Sequence, residues 1–110
     1  MDWFVGIDVS QDLLVVAVDG QPDTTQVSNN RAGRKALRRH LRALKPRRIV
    51  VEGTGGLERP VVAELQEAGL PIVVANPARV RKLAGALGQL AKTDPIDAAV
   101  IARFAAVVDL

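Results

Sequence analysis

The fold is decided by the stretch Val5-Gly6-Ile7-Asp8-Val9, in which apolar, largely β-branched residues surround a single acid. Such residues favour a central strand. Side chains alternate along a strand, so Asp8 shares a face with Gly6 and the other three residues face the opposite way. A desolvated carboxylate needs a cation, a hydrogen-bond network or a water-filled cleft. The alternative is that Asp8 only caps the hairpin turn that follows.

Apolar runs and turn signals on either side of this stretch predict the other elements. Strands are expected over residues 3–9, 13–18, 24–28, 49–51 and 72–74. Helices are expected from a cap at Asn29 or Asn30 to Leu44, over 57–68, over 77–87, and from Asp94 onward. The order predicts an α/β fold. Three antiparallel strands are followed by βα units in a mixed sheet, with helices on both faces.

Length and composition indicate one compact domain, because the chain has 110 residues and is 48% apolar. The absence of cysteine excludes disulfides and thiolate metal sites. The start of the chain lacks the basic region of a signal peptide, and no apolar run approaches the ~20 residues that span a bilayer. We therefore expect a soluble cytoplasmic protein without a membrane contact. Residues 105–110 stop within an apolar helical pattern, which indicates a fragment of a longer protein.

Glu52 is the second candidate site residue, because it ends a predicted strand just before Gly53-Thr54-Gly55-Gly56. Open α/β sheets bind ligands at the carboxyl ends of their strands, so Glu52 is a candidate metal ligand. Two alternatives stay open. Glu52 could be a solvent-exposed acid, and the glycine-rich segment could hold a phosphate with its backbone amides, although it lacks the lysine of a P-loop.

Asp94 and Asp97 complete the candidate acids at the start of the last predicted helix. Asp94 before Pro95 is a good N-cap, and Asp97 suits the first turn, so capping alone could explain both. Their spacing also puts both side chains on one face, close enough to share a divalent ion. An oxygen-only set of four acids suits Mg²⁺ or Mn²⁺ rather than Zn²⁺, and such a cluster is typical of phosphodiester chemistry.

The positive charge is concentrated, because nine of the 15 lysines and arginines fall between Arg31 and Arg48, a span without an acid. On the first helix, one stripe opposite the leucines is expected to contact the phosphates of a nucleic acid, or else is a solvated helix face. The predicted members of this stripe are Arg31, Lys35, Arg38, Arg42 and Lys45. Lys92, beside the acids, would meet a phosphate or pair with a carboxylate. The candidate nucleic-acid contacts are Arg31, Lys35, Arg38, Arg42, Lys45, Arg79, Arg81, Lys82 and Lys92.

Three motifs carry a family resemblance: residues 4–10, residues 51–55, and residues 92–102 with the sequence KTDPIDAAVIA. In this order they resemble the N-terminal domain of the DEDD insertion-sequence transposases, the group related to the Piv and MooV recombinases. The resemblance implies a RuvC-like RNase H fold. It also implies a magnesium-dependent DNA recombinase that acts on phosphodiester bonds during transposition. The acids that match the family's metal-binding tetrad are Asp8, Glu52, Asp94 and Asp97.

Members of this family continue into a helical linker and a second domain with a nucleophilic serine, and a structured RNA directs them to DNA. The resemblance therefore implies DNA, a guide RNA and further copies of the full-length chain as partners. It also implies that residues 1–110 alone do not exchange strands. Two alternatives remain: a nucleic-acid-binding module with structural acids, and the N-terminal lobe of an actin-like kinase. The kinase would need a glycine-rich phosphate turn after Asp8, which Ser10-Gln11-Asp12 does not provide.

Overall fold

Strands and helices follow one another in the predicted order within residues 2–88 and 96–108, which the computed structural model describes. The strands are β1 Phe4–Val9, β2 Leu13–Val18, β3 Thr24–Ser28, β4 Arg48–Glu52 and β5 Ile72–Ala75. The helices are α1 Arg31–Leu44, α2 Arg59–Glu67, α3 Pro77–Ala86 and α4 Ala98–Val107. In these residues no helix is long and apolar enough to cross a membrane.

The strands form one mixed sheet in the order β3-β2-β1-β4-β5. The hairpin strands β1, β2 and β3 pair antiparallel, whereas β1, β4 and β5 run parallel to one another. The predicted mixed sheet is therefore confirmed. Because parallel strands end on the same side, the carboxyl ends of β1, β4 and β5 share one edge of the sheet, where open α/β sheets bind ligands.

One face of the sheet packs against α1 and α2. Val5, Ile7 and Val9 of β1 meet Leu37 and Leu41 of α1 in one buried cluster, as strand alternation and the leucine spacing predict. Complete burial of a leucine stabilises the fold by roughly 1.5–3 kcal/mol, so these contacts fix which face α1 covers. The basic side of α1 consequently points away from the sheet.

The opposite face of the sheet carries α3 and α4, and α4 lies directly on β1. A Cβ added to Gly6 would collide with the backbone of α4 at Ala98, Ile101 and Ala102. Glycine at position 6 therefore permits the close approach of strand and helix. Asp8 is the next residue of β1 on this same face, so the start of α4 lies near its carboxylate.

The start of α4 corrects the sequence prediction, which placed it at Asp94. The helix begins at Ala98, and the cap is Asp97, whose extended backbone has φ −109° and ψ 178°. Its Oδ1 accepts a hydrogen bond from the Val100 amide at 2.9 Å. Asp97 therefore lies before the first turn rather than within it, because its own short carboxylate satisfies a free amide there. Asp94 is outside the described residues.

Candidate active site

Asp8 and Glu52 lie on adjacent parallel strands at the carboxyl edge of the sheet. Ile7 of β1 pairs with Val51 of β4, and each acid is the next residue along its strand. Paired residues of parallel strands point to the same face, so the two carboxylates lie side by side on the face that α4 covers. Both residues are half-buried. The predicted association of these two acids is thus present in the fold.

Asp97 reaches the same site from the start of α4. Burial raises the pKa of Asp8, and the negative charge of Asp97 raises it further. The pKa of Glu52 is also raised, first by burial and then by the charge of Asp8, while Arg81 acts in the opposite direction. Asp8 is thus the acid that interacts electrostatically with both others, with Asp97 at the start of α4 and with Glu52 on the neighbouring strand.

Glu52 also has an unsatisfied oxygen. Its Oε2 is buried and has no hydrogen-bond partner among the described residues, and the same is true of the neighbouring Thr54 Oγ1. A buried acceptor without a donor is costly, and a bound cation is one way to satisfy it. The oxygen-only donors suit a hard divalent cation. Within residues 2–88 and 96–108, however, no group of three or more acids or other ligating side chains is close enough to hold a metal ion.

The glycine-rich segment after Glu52 does not form the phosphate cradle that was one alternative. The amides of Thr54 and Gly56 both donate to Glu58 Oε1, at 2.9 Å and 3.0 Å. These hydrogen bonds, that from Thr54 above all, lower the pKa of Glu58. The carboxylate of Glu58 thus occupies the amides that a phosphate would need. The sequence signal for this contact is the acid at the start of α2, since the N-terminus of a helix favours a carboxylate.

Three predicted nucleic-acid contacts lie on α3, on the same side of the sheet as the acids. The guanidinium of Arg79 stands 5.9 Å from the centre of the Phe104 ring. Arg81 is close enough to Glu52 for its charge to affect that carboxylate. Arg79 and Lys82 border a groove of about 360 Å³ between α3 and α4 whose other lining residues are apolar. Lys92 lies outside the described residues.

The basic stripe of α1 is on the other side of the sheet, and its membership differs from the predicted one. Arg38 forms an ion pair with Glu64 of α2 at 2.8 Å, and only 26% of its side chain is exposed. Arg39, by contrast, is exposed and lies about 80° from Arg31 around the helix. We call the exposed helical bases the α1 stripe: Arg31, Lys35, Arg39 and Arg42. Lys45, at the C-cap just beyond the helix, is also exposed.

This arrangement of strands and helices is similar to that of RuvC from Thermus thermophilus. The RuvC structure in complex with a Holliday junction substrate is 18% identical, with a TM-score of 0.60, and the match covers 93% of this chain and 90% of that one. Another Thermus thermophilus RuvC structure gives 19% identity, a TM-score of 0.58, and coverage of 89% and 88%. The expected RNase H-like fold is therefore confirmed.

The sequence itself identifies the family. No curated protein matches the chain significantly. A family model described as a transposase, of the IS110-type DEDD group, matches residues 5–109, a span that includes the hairpin, the parallel strands and all four candidate acids. The match favours the predicted transposase over an actin-like kinase lobe. The chain, in which Asp8 and Glu52 lie side by side at the carboxyl edge of the sheet, belongs to the IS110-type DEDD transposase family.

Proposed function

We propose that this chain is the metal-dependent catalytic domain of a DNA transposase, and that it acts on phosphodiester bonds in DNA. The observation that supports this most directly is the placement of Asp8 and Glu52 side by side at the carboxyl edge, each one residue beyond the paired Ile7 and Val51, with the charge of Asp97 acting on Asp8. A divalent cation bound here would relieve the repulsion among these carboxylates and would give the unsatisfied Oε2 of Glu52 a partner.

The proposed ligands are Asp8, Glu52, Asp94 and Asp97, and the proposed ion is Mg²⁺ or Mn²⁺. Asp8 lies within β1, and Asp97 accepts the hydrogen bond from the Val100 amide at its Oδ1, so that its other carboxylate oxygen would be available to the ion. When bound, the ion would lower the pKa of a water or hydroxyl and neutralise charge on the phosphate. The carboxylates hold and orient it.

Positive charge beside the acids supports DNA as the substrate. Arg79, Arg81 and Lys82 lie on the acid side of the sheet, where they would neutralise phosphates that the carboxylates otherwise repel. We place Lys92 in the same role. The fold is also that of RuvC, which has been described in complex with a Holliday junction. We also propose that the protein acts in the cytoplasm.

The family resemblance supplies three further parts of the proposal. The serine nucleophile is assigned to a second domain of the full-length protein, so residues 1–110 bind metal and DNA without exchanging strands. A structured guide RNA directs the protein to its DNA. The full-length chain acts as a homo-oligomer, which would bring several carboxylate sites to one recombination junction.

Calorimetric titration with Mn²⁺ tests the metal site. The wild-type domain is expected to bind Mn²⁺, and Asp8→Asn to weaken binding by about tenfold or more because a charged ligand is lost. The matched control is Asp12→Asn, which makes the same change of charge at an exposed turn. Equal affinity in all three proteins would contradict the metal site.

The second candidate function is a nucleic-acid-binding module whose acids are structural. It is favoured by one observation, that the described residues contain no group of three side chains close enough to hold a metal. This function predicts that Mn²⁺ does not bind, and that Asp8→Asn leaves DNA affinity unchanged or increases it. The same titration, repeated with DNA present, distinguishes the two functions.

A further inference from the structure

The α1 stripe and the carboxylates lie on opposite faces of the sheet. Leu37 and Leu41 of α1 pack on the face that carries Ile7, whereas Asp8 is on the face covered by α4. The exposed side of α1 therefore points away from the acid site. A nucleic acid that lies on the stripe meets a different side of the domain from one at the carboxylates.

The stripe has the chemistry of a phosphate-binding surface. α1 contains no acid, and in the described part of the chain no ion pair involves any of the four bases of the stripe, although the charge of Lys35 contributes to lowering the pKa of Glu64. Two nearby bases have partners within the domain. Arg38, which faces α2, binds Glu64, and Arg34, which faces the turn before α1, donates to Asn29. Contacts within the domain thus leave one row of positive charge facing outward.

The length of this row suits double-stranded DNA. From Arg31 to Arg42 the helix rises about 16 Å. Over that distance a B-form duplex presents about ten phosphate charges, at one per ~1.7 Å of its axis. Four bases could therefore neutralise several phosphates along one side of the duplex without reading its sequence.

We propose that the α1 stripe holds a segment of double-stranded DNA other than the segment at the carboxylates. The domain measures 36 × 32 × 25 Å, whereas DNA stays nearly straight over such lengths, with a persistence length of about 150 base pairs. One short duplex cannot lie along α1 and also turn to the opposite face. This inference extends the proposed function, which places the processed DNA at the acids.

Binding of a labelled 20-base-pair duplex, followed by fluorescence anisotropy, tests the surface. Arg39→Glu combined with Arg42→Glu is expected to lower affinity at least tenfold and to reduce the salt slope by about 2, because two phosphate contacts are lost. The control is Arg59→Glu, which reverses the charge at an exposed position of α2 and should change DNA affinity less than twofold. Melting curves verify that each variant is folded. An unchanged affinity in the folded double variant would overturn the proposal.

Crosslinking tests whether two segments are held at once. Benzoylphenylalanine is placed at His40 on α1 and at Ala99 beside Asp97, both exposed, and two duplexes with different labels are added. A denaturing gel should show single chains joined to both labels, whatever the oligomeric state. Chains that carry only one duplex would overturn the inference, as would binding of an RNA duplex but not DNA. Failure of the Mn²⁺ titration alone would contradict the proposed catalytic function and leave this result intact.

Discussion

Asp8 and Glu52 each lie one residue beyond the paired residues Ile7 and Val51, on neighbouring parallel strands. The sheet thus holds two carboxylates side by side, whatever the surrounding loops do. Burial raises the pKa of both, and the charge of Asp8 raises that of Glu52 further. The fold keeps these acids together at a cost in stability, as expected where position is required for function.

Asp8→Asn is therefore expected to stabilise the metal-free domain at neutral pH. The folded state binds the proton of Asp8 more tightly than the unfolded state, whose pKa is near 3.8. The contribution of Asp8 to stability is complete below that value and is lost as pH rises through the higher folded pKa. Asparagine removes the charge, so Tm in EDTA should rise at pH 7 and change little near pH 3.5. A lower Tm at pH 7 would contradict this interpretation.

Asp97 is expected to have two separable roles, as the cap of α4 and as a metal ligand. Asp97→Asn keeps an oxygen for the Val100 amide, so Tm should change little, while Mn²⁺ affinity falls with the loss of charge. Asp97→Ala removes the cap as well and should cost a further ~1 kcal/mol of unfolding free energy. Chemical denaturation and calorimetry measure the two effects. Equal stability of the Asn and Ala variants would exclude the capping role.

The local elements were accessible from the sequence, because alternation around Asp8 and leucine spacing on α1 depend only on neighbouring residues. A shared site for Asp8 and Glu52 was implied there by the family resemblance, since the two acids lie on strands far apart in the chain. The predicted site differs from the structure where it depends on contacts between residues far apart in the sequence, or where two residues suit the same role equally well. Arg38 finds Glu64 only when α1 and α2 pack together. By sequence, Asp94 and Asp97 are both good helix caps. In the structure α4 begins after Asp97, and it packs closely against Gly6. That the α1 stripe and the acids lie on opposite sides of the sheet follows only once the order of the strands is known.

Gly6→Ala is expected to destabilise the fold strongly, because the added Cβ would meet the backbone of α4, which cannot yield as a side chain can. Overpacking costs about 1–3 kcal/mol, and a backbone collision should lie at the upper end. Gly53→Ala is the matched control, since its Cβ would meet Val74 Cγ1 at an ordinary 3.7 Å. Thermal unfolding of both variants gives the comparison. Similar Tm values would show that α4 does not lie against β1.

Arg48 is expected to stabilise the C-terminal end of α4. Its Nη1 donates to the carbonyl oxygens of Ala105 at 2.8 Å and Val108 at 2.7 Å. Carbonyl oxygens at the end of a helix generally need such donors from outside the helix. Charged hydrogen bonds of this kind contribute about 1.5–3 kcal/mol, so Arg48→Met should lower the free energy of unfolding by roughly 2 kcal/mol. Lysine keeps a positive charge near the helix end and should recover part of that loss.

The neighbouring residue provides the control for Arg48. Arg47 reaches Asp2 at 3.5 Å, but the two side chains are 63% and 60% exposed, so Arg47→Met should change stability by less than about 0.5 kcal/mol. Urea denaturation of both methionine variants measures the difference. Because Asp97, at the start of α4, is a proposed metal ligand, loosening of the opposite end should also weaken Mn²⁺ binding in Arg48→Met. Unchanged Mn²⁺ affinity would show that the start of α4 is fixed by its cap and by Gly6 alone.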